Sequence, residues 1–294
     1  MISKEELFEL IKNEYPNDFD DIINGLNQKK KTTFRINNIL GNKEEVVKFL
    51  NDNNVNYSIS DIYDNCFILN DDFNIFDTYL VKEGKIYIQS LSSQIPPLAM
   101  DLDDSYDILD MCAAPGGKTS LIADLTNNSK SIMAVESNKI RAEKLKYNLS
   151  LLNVKANVLV NDSSKLDSFF RFDTILLDSP CSGAGTINLN NEKDLKSFSK
   201  LLVKNSSIIQ KKLLKKAIEI LKPGHTMIYS TCSILKEENE EVIKTVLNDK
   251  VILEPININI DKNNILPSKY KEVFTIKPSD IFEGFFIAKI KKIK

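Results

Sequence analysis

The 294-residue chain has little of what marks a secreted, metal-built or membrane protein. No apolar run approaches the roughly 18 residues of a membrane span, and Met1-Ile2-Ser3-Lys4-Glu5-Glu6 lacks the basic and apolar regions of a signal peptide. A cytoplasmic location without a membrane partner is the expectation. The cysteines, Cys66, Cys112, Cys181 and Cys232, form no CxxC pair, and the single His225 leaves a zinc site short of ligands, so no metal is expected. Those counts argue against a disulfide framework and leave reduced thiols available for chemistry. Charge of one sign is also missing: 39 Lys and Arg face 41 Asp and Glu. A near-zero balance argues weakly against a nucleic-acid partner, because neutralising phosphates takes a basic face. Local clusters matter more than the sum. They are Lys29-Lys30-Lys31 with Arg35, Lys211-Lys212 with Lys215-Lys216, and the tail from Lys289 to Lys294. Taken singly, each is more often a solvated face than a binding site.

What is present is a chain that changes pattern once. Apolar residues recur at helical spacing between Glu5 and Gln28, which predicts two short helices. Strand patterns follow at Thr33 to Asn37, Val55 to Ile59, Asn65 to Leu69 and Lys85 to Ile88, with a helix over Lys43 to Asn51. These predict a small α+β unit and a first domain over residues 1–88. From Tyr106 onward strands and helices alternate. Strands are expected at Tyr106 to Leu109, Ser131 to Val135, Asn157 to Val160, Phe172 to Leu177 and Thr226 to Tyr229. Helices are expected at Lys118 to Leu125, Asn138 to Leu152 and Lys204 to Leu221. Buried apolar strands separated by amphipathic helices predict an α/β, Rossmann-like, doubly wound and mostly parallel sheet over residues 89–294. Ligands of such sheets bind at the carboxyl ends of the strands.

Three strand ends carry groups suited to a nucleotide-like ligand. The first runs into Asp110-Met111-Cys112-Ala113-Ala114-Pro115-Gly116-Gly117-Lys118-Thr119, where small residues permit close backbone approach. The spacing is neither GxGxxG nor GxxxxGK[ST], which disfavours a dinucleotide or a triphosphate. Glu136 ends the second strand about 20 residues beyond the glycines, where a carboxylate can take both ribose hydroxyls. Asp162 follows the third strand and suits an adenine amino group, although it also suits a turn or a helix cap. Two more strand ends carry thiols. One closes in Asp178-Ser179-Pro180-Cys181, the other in Ser230-Thr231-Cys232-Ser233.

Cysteines at strand ends are commonly plain small buried residues. Two of them beside an acid in one cleft suggest more: thiol-dependent methyl transfer onto a pyrimidine. Cytosine carbon 5 accepts a methyl group only after something adds to carbon 6, and a thiolate does this well. An acid at ring nitrogen 3 and the exocyclic amine stabilises the charge that develops. Release of the product then gives a second thiol, or a water, a role. Spacing alone does not choose which of Cys181 and Cys232 is the nucleophile.

On these motifs the chain resembles the Sun/RsmB family of S-adenosylmethionine-dependent RNA cytosine-5 methyltransferases. The likeness covers about residues 85 to 290 and includes Gln89-Ser90-Leu91-Ser92-Ser93, Cys112 to Thr119, Glu136 with Arg141 and Asn148, Asp162, Asp178 to Gly185, Ser230 to Ser233 and Glu283 to Ala288. The resemblance implies that S-adenosyl-L-methionine is held by Cys112, Ala113, Ala114, Pro115, Gly116, Gly117, Lys118, Glu136, Asp162 and Asp178. It also implies that Cys232 is the nucleophile, that Cys181 assists release, that Asp178 contacts the cytosine and that Lys118 lies near it. Family members carry a small unit like an RNA-recognition motif before the catalytic one, and Arg35-Ile36-Asn37 matches a short element there. RNA, ribosomal or transfer, would then run from Lys29, Lys30, Lys31, Arg35 and Asn37 into the cleft. The chain departs from the pattern at Ile187-Asn188-Leu189-Asn190, where arginines and a proline are usual, and at Lys277 to Asp280. No further RNA-binding domain is expected after Lys294, and a monomer is the expected state. Two other readings keep some weight: an RNA-binding assembly factor that retains the cofactor pocket, and a DNA cytosine methyltransferase acting through Cys181.

Overall fold

The computed structural model describes residues 2–294 and places two β-sheets side by side. Helices α1 (Ile2–Glu14) and α2 (Phe19–Asn27) open the chain. The small unit follows as β1 (Thr33–Ile36), α3 (Lys43–Asp52), β2 (Tyr57–Ile59), β3 (Cys66–Leu69), the single turn α4 (Tyr79–Lys82) and β4 (Ile86–Ile88). Its antiparallel order β2-β3-β1-β4 is that of a ferredoxin-like βαββαβ unit. Alternation sets its two faces: Phe34, Ile36, Phe67, Leu69 and Ile86 pack on Val46 and Leu50 of α3. Arg35, Cys66 and Tyr87 therefore point the other way, towards the large unit.

The large unit begins with α5 (Leu91–Leu98), β5 (Asp107–Asp110), α6 (Gly117–Leu125), β6 (Ser131–Glu136), α7 (Lys139–Leu151), β7 (Asn157–Val160) and β8 (Phe172–Asp178). It continues as α8 (Glu192–Ser197), α9 (Lys200–Ile220), β9 (Leu221–Thr231), α10 (Glu240–Ile243), β10 (Val251–Glu254), β11 (Phe274–Ile276) and β12 (Phe285–Lys292). The sheet order is β10-β12-β9-β8-β5-β6-β7, with β11 paired to β12. The run β7-β6-β5-β8-β9 is parallel, whereas β12 enters antiparallel beside β9. Chain order reverses between β5 and β8, so a cleft opens there at the strand ends. Local chemistry fixes the helices that flank it. Asn138 and Ser199 cap α7 and α9 by accepting backbone N–H bonds at their first turns. α9 buries Val203, Ser207, Gln210, Leu214 and Ala217 on one stripe.

The expected doubly wound sheet is the one observed, and three details differ from the sequence reading. α5 contains Pro96 and Pro97, which read as helix breakers. The Ser93 carbonyl, which Pro97 leaves without a helical donor, accepts instead from Gln89 Nε2 at 3.2 Å. The tail at Lys289 is an inner strand: Lys289 reaches Asp101 at 2.6 Å, Lys291 reaches Glu254 at 2.7 Å, and Lys292 donates to the carbonyls of Ile218 and Leu221. α9 also starts four residues before the expected helix, at its Ser199 cap. Among the described residues no helix is long and apolar enough to cross a membrane.

Candidate active site

The turn from β5 to α6 is shaped by what surrounds it. Gly116 has φ +107°, a left-handed value that glycine adopts without strain, and it caps α6. Arg141 donates to the Ala114 carbonyl at 2.9 Å and Asn148 to that of Pro115 at 2.8 Å, so α7 holds the turn from outside. Asp110 is buried and accepts from Thr119 Oγ1 at 2.6 Å. Burial pushes its carboxyl up to about 6, with the Asp178 charge adding to the effect.

A cavity of about 340 Å³ lies outside this turn, lined by Met111, Cys112, Glu136, Arg141, Asp162 and Lys212 among others. Glu136 is 3% exposed and accepts the Asn138 amide at 2.8 Å, while Arg141 stands 3.4 Å from its other oxygen. A buried carboxylate fixed by its neighbours at a strand end, with free lone pairs towards a cavity, fits vicinal hydroxyls. Asp162 caps the short turn Ser163–Lys165 by accepting from Ser164 N and Oγ, and that bond holds its pKa below the usual carboxylate range. Capping and cavity lining thus coexist in Asp162. Burial, with the charge of Asp110, drives the Cys112 thiol well above its ordinary value, so this sulfur is a neutral wall.

A second cavity, about 430 Å³, brings Asp110, Cys112, Ala113, Ala114, Pro115, Gly117, Lys118, Asp178, Cys232, Tyr87, Glu283 and Phe285 together. Here Lys118 Nζ lies 2.7 Å from Asp178 Oδ2, 2.7 Å from Ser93 Oγ and 5.3 Å from the centre of the Phe285 ring. Burial works against the Lys118 ammonium, but Asp178 and Asp110 outweigh it and raise the pKa, so this lysine stays charged. Ser230 Oγ donates to the other Asp178 oxygen at 2.8 Å.

The sulfurs of Cys181 and Cys232 are 2.7 Å apart, and all four cysteines are free thiols. The contact with Cys232 and burial both raise the Cys181 pKa well above its ordinary value. Its loop is fixed by Glu238, which is fully buried and takes Ser182 N at 2.7 Å as well as the Ser182 hydroxyl. Gln210 of α9 joins this network at Pro180 O and Glu238. Nothing in sequence spacing signals Glu238, because it reaches the site from a turn after β9 through tertiary packing alone. Ser93, Ser230 and Phe285 lie within motifs visible in the sequence, but their partners appear only in the fold.

The expected RNA-side residues divide. Lys29 is exposed and paired to Asp72 at 2.5 Å, and Lys31 stands 3.6 Å from Asp280. Lys30 donates to the carbonyls of Gly25 and Ser279, and burial lowers its pKa. Arg35 and Asn37 are not at a surface: they are 0% and 1% exposed and bond to the large unit. That corrects their placement on an RNA path. The cause is the face of the small sheet on which Arg35 sits. RNA-recognition motifs stack bases on that kind of face, and here it is covered by α5 and α6.

Residues 97–291 match the family described as 16S rRNA methyltransferase RsmB/F, and residues 6–76 match the ferredoxin-like domain of RsmF/B-like methyltransferases. The chain belongs to the RsmB/F family. The probable ribosomal RNA small subunit methyltransferase B of Coxiella burnetii is 32% identical over 85% of this chain and 60% of its own length. Ribosomal RNA small subunit methyltransferase F of Vibrio parahaemolyticus is 31% identical over 93% of this chain and 59% of its own. The chain thus spans about three-fifths of these curated relatives. A methyltransferase homolog protein from Pyrococcus horikoshii superposes with a TM-score of 0.83 at 32% identity, covering 97% of this chain and 93% of that one. NSun6 from Pyrococcus horikoshii, solved with SFG, shares the fold with a TM-score of 0.88 at 22% identity, over 99% and 98% of the two chains.

Proposed function

We propose that the protein transfers a methyl group from S-adenosyl-L-methionine to carbon 5 of cytosine in RNA, through a covalent bond between Cys232 and carbon 6. The observation that carries this reading is the meeting of Cys232, Cys181, Asp178 and Lys118 beside the cavity that Glu136 and Asp162 line. Family membership supports it, as do the bacterial relatives, which are named as ribosomal RNA small subunit methyltransferases.

Glu136 would take the ribose hydroxyls, Asp162 the adenine edge, and the Cys112–Lys118 turn would let the ligand approach its backbone. When bound, S-adenosylmethionine supplies an electrophilic methyl group. The protein's own groups do the rest. The resemblance to the family makes Cys232 the sulfur that adds to carbon 6, with Cys181 in contact beside it. Asp178, held by Lys118 and Ser230, would face ring nitrogen 3 and the exocyclic amine, where charge builds during addition. Lys118 keeps the local field positive and fixes the carboxylate. As the carbon 5 proton leaves to water, the Cys181 S–H hydrogen-bonds the departing Cys232 sulfur and so assists release.

The test is incubation with labelled S-adenosylmethionine and RNA from cells lacking the gene, followed by nucleoside analysis. Label in 5-methylcytosine is expected, and its size fraction names the RNA class. Cofactor binding without label in any RNA or ribosomal particle would overturn the reading in favour of an assembly factor.

A further inference from the structure

We propose that Arg35 and Asn37 are positioning residues that hold the cofactor turn and Lys118 in place, making the small sheet a built-in support of the reaction centre. The proposal rests on the reading of the site given above. Alternation along β1 turns Arg35 towards the large unit, and Asn37, the residue directly after the strand, bonds both units.

Arg35 Nε donates to Gln89 Oε1 at 2.9 Å, and its Nη2 donates to Ser120 Oγ at 2.7 Å and to the Gly117 carbonyl at 3.2 Å. The guanidinium lies 5.3 Å from the centre of the Tyr87 ring and 4.0 Å from Asp124. Gln89 passes the contact on: its Nε2 donates to the Ser93 carbonyl, and the Ser93 hydroxyl accepts from Lys118. A chain of hydrogen bonds therefore runs from Arg35 through Gln89 and Ser93 to Lys118 and Asp178. Asn37 grips the other flank. Its Nδ2 donates to the carbonyls of Gly84 and Leu152, the latter just past the end of α7. That helix carries Arg141 and Asn148, which hold Ala114 and Pro115 of the turn.

Stability alone does not account for Arg35. It is fully buried, its Nη1 has no hydrogen-bond partner, and among the described residues its one counter-charge within 4.0 Å is Asp124. Such a charge adds little net stability and is commonly replaceable by apolar packing. What an apolar residue lacks is the fork of fixed donors that reaches Gln89, Gly117 and Ser120 at once, and lysine lacks it too.

The experiment compares wild type with R35K and N37A by hydrogen exchange, RNA binding and turnover. Amides of residues 116–120 should exchange about tenfold faster in R35K, and kcat should fall ~10-fold because reacting groups held loosely lose their alignment. The dissociation constant for RNA should stay within about twofold. S120A, which removes one acceptor and leaves the core packing, should shift both readouts in the same direction by a smaller factor; it serves if R35K does not fold. Unchanged exchange at the turn with weaker RNA binding would overturn the proposal and return Arg35 to an RNA role. A lower melting temperature with exchange at the turn and kcat both unchanged would reduce it to structure. If wild type makes no 5-methylcytosine, the functional reading fails by itself, and the exchange measurement still judges the support role.

Discussion

The Gly185 amide donates to the Cys232 carbonyl at 3.0 Å, so the loop that carries one thiol fixes the strand end that carries the other. Gly284 N in turn donates to the Gly185 carbonyl at 2.8 Å, and a β-carbon on Gly185 would stand 2.0 Å from the Gly284 carbonyl oxygen. Both partners are backbone and cannot rotate aside. Gly185→Ala should therefore cost at least ~1–3 kcal/mol, the usual range for overpacking. Thermal unfolding should show a drop of several degrees, and turnover should fall further than stability does because Cys232 shifts. A variant with wild-type melting and rate would show that the loop relaxes freely.

The thiol pair makes opposite predictions for its two members. Cys232→Ala should lose methyl transfer entirely while binding S-adenosylmethionine within about twofold of wild type, since Glu136 and the turn are untouched. Cys181→Ala leaves the nucleophile but removes the S–H donor to the departing sulfur. It should slow release and leave protein linked to RNA, visible as a slower band on denaturing gels with wild-type enzyme and Cys232→Ala as controls. Adducts formed by Cys232→Ala and abolished in Cys181→Ala would exchange the two roles and favour the Pro-Cys cysteine as nucleophile.

Glu136 offers a test confined to the cofactor. Its buried carboxylate accepts hydrogen bonds, and Glu136→Gln turns one acceptor oxygen into a donor that faces the Asn138 amide or the ligand. Losing a charge-assisted bond costs about 1.5–3 kcal/mol, equivalent to a rise of roughly ten- to a hundredfold in the dissociation constant. Calorimetric titration with S-adenosylhomocysteine measures it without turnover. A constant unchanged within twofold would remove Glu136 from the ribose site.

The cleft was legible in the sequence because each group sits where a parallel strand ends, and strand ends follow from apolar runs and glycines near Gly116 and Gly185. Pairings between strands were not legible. β12 slots between β9 and β10 with three lysines along it, and their neutralisation by Asp101, Glu254 and main-chain carbonyls depends on residues far away in the chain. Arg35 shows the same limit: an arginine in a strand beside three lysines reads as a surface cluster. Only the docking of one sheet on α5 and α6 turns it inward. Glu238 had no local signature either, since what marks it is burial beneath Ser182 and Gln210.

Glu14 carries a pH prediction. It closes α1, and its Oε2 accepts the Lys236 amide at 2.8 Å, tying that helix to the turn that follows Cys232. Burial outweighs the lowering effect of Lys236 and pushes its carboxyl from 4.5 up to about 7. In the unfolded chain Glu14 ionises near its ordinary value, whereas the folded protein keeps the proton until about pH 7. Below about pH 4.5 both states are protonated and the stabilisation is fully present. Between pH 4.5 and about 7 the unfolded state gives up its proton first, so stability falls as pH rises, and above that window the loss is complete. Glu14→Gln keeps an oxygen for the Lys236 amide and carries no charge. Its melting temperature should match wild type near pH 4.5 and exceed it at pH 8, by no more than the ~3 kcal/mol that such a shift represents. Other buried acids, Glu238 and Glu240 among them, tilt both proteins in the same sense and cancel in the comparison. Parallel melting curves at every pH would mean that water reaches Glu14 in the folded state and that α1 is held by Tyr15, whose hydroxyl bonds the Ile234 carbonyl, instead.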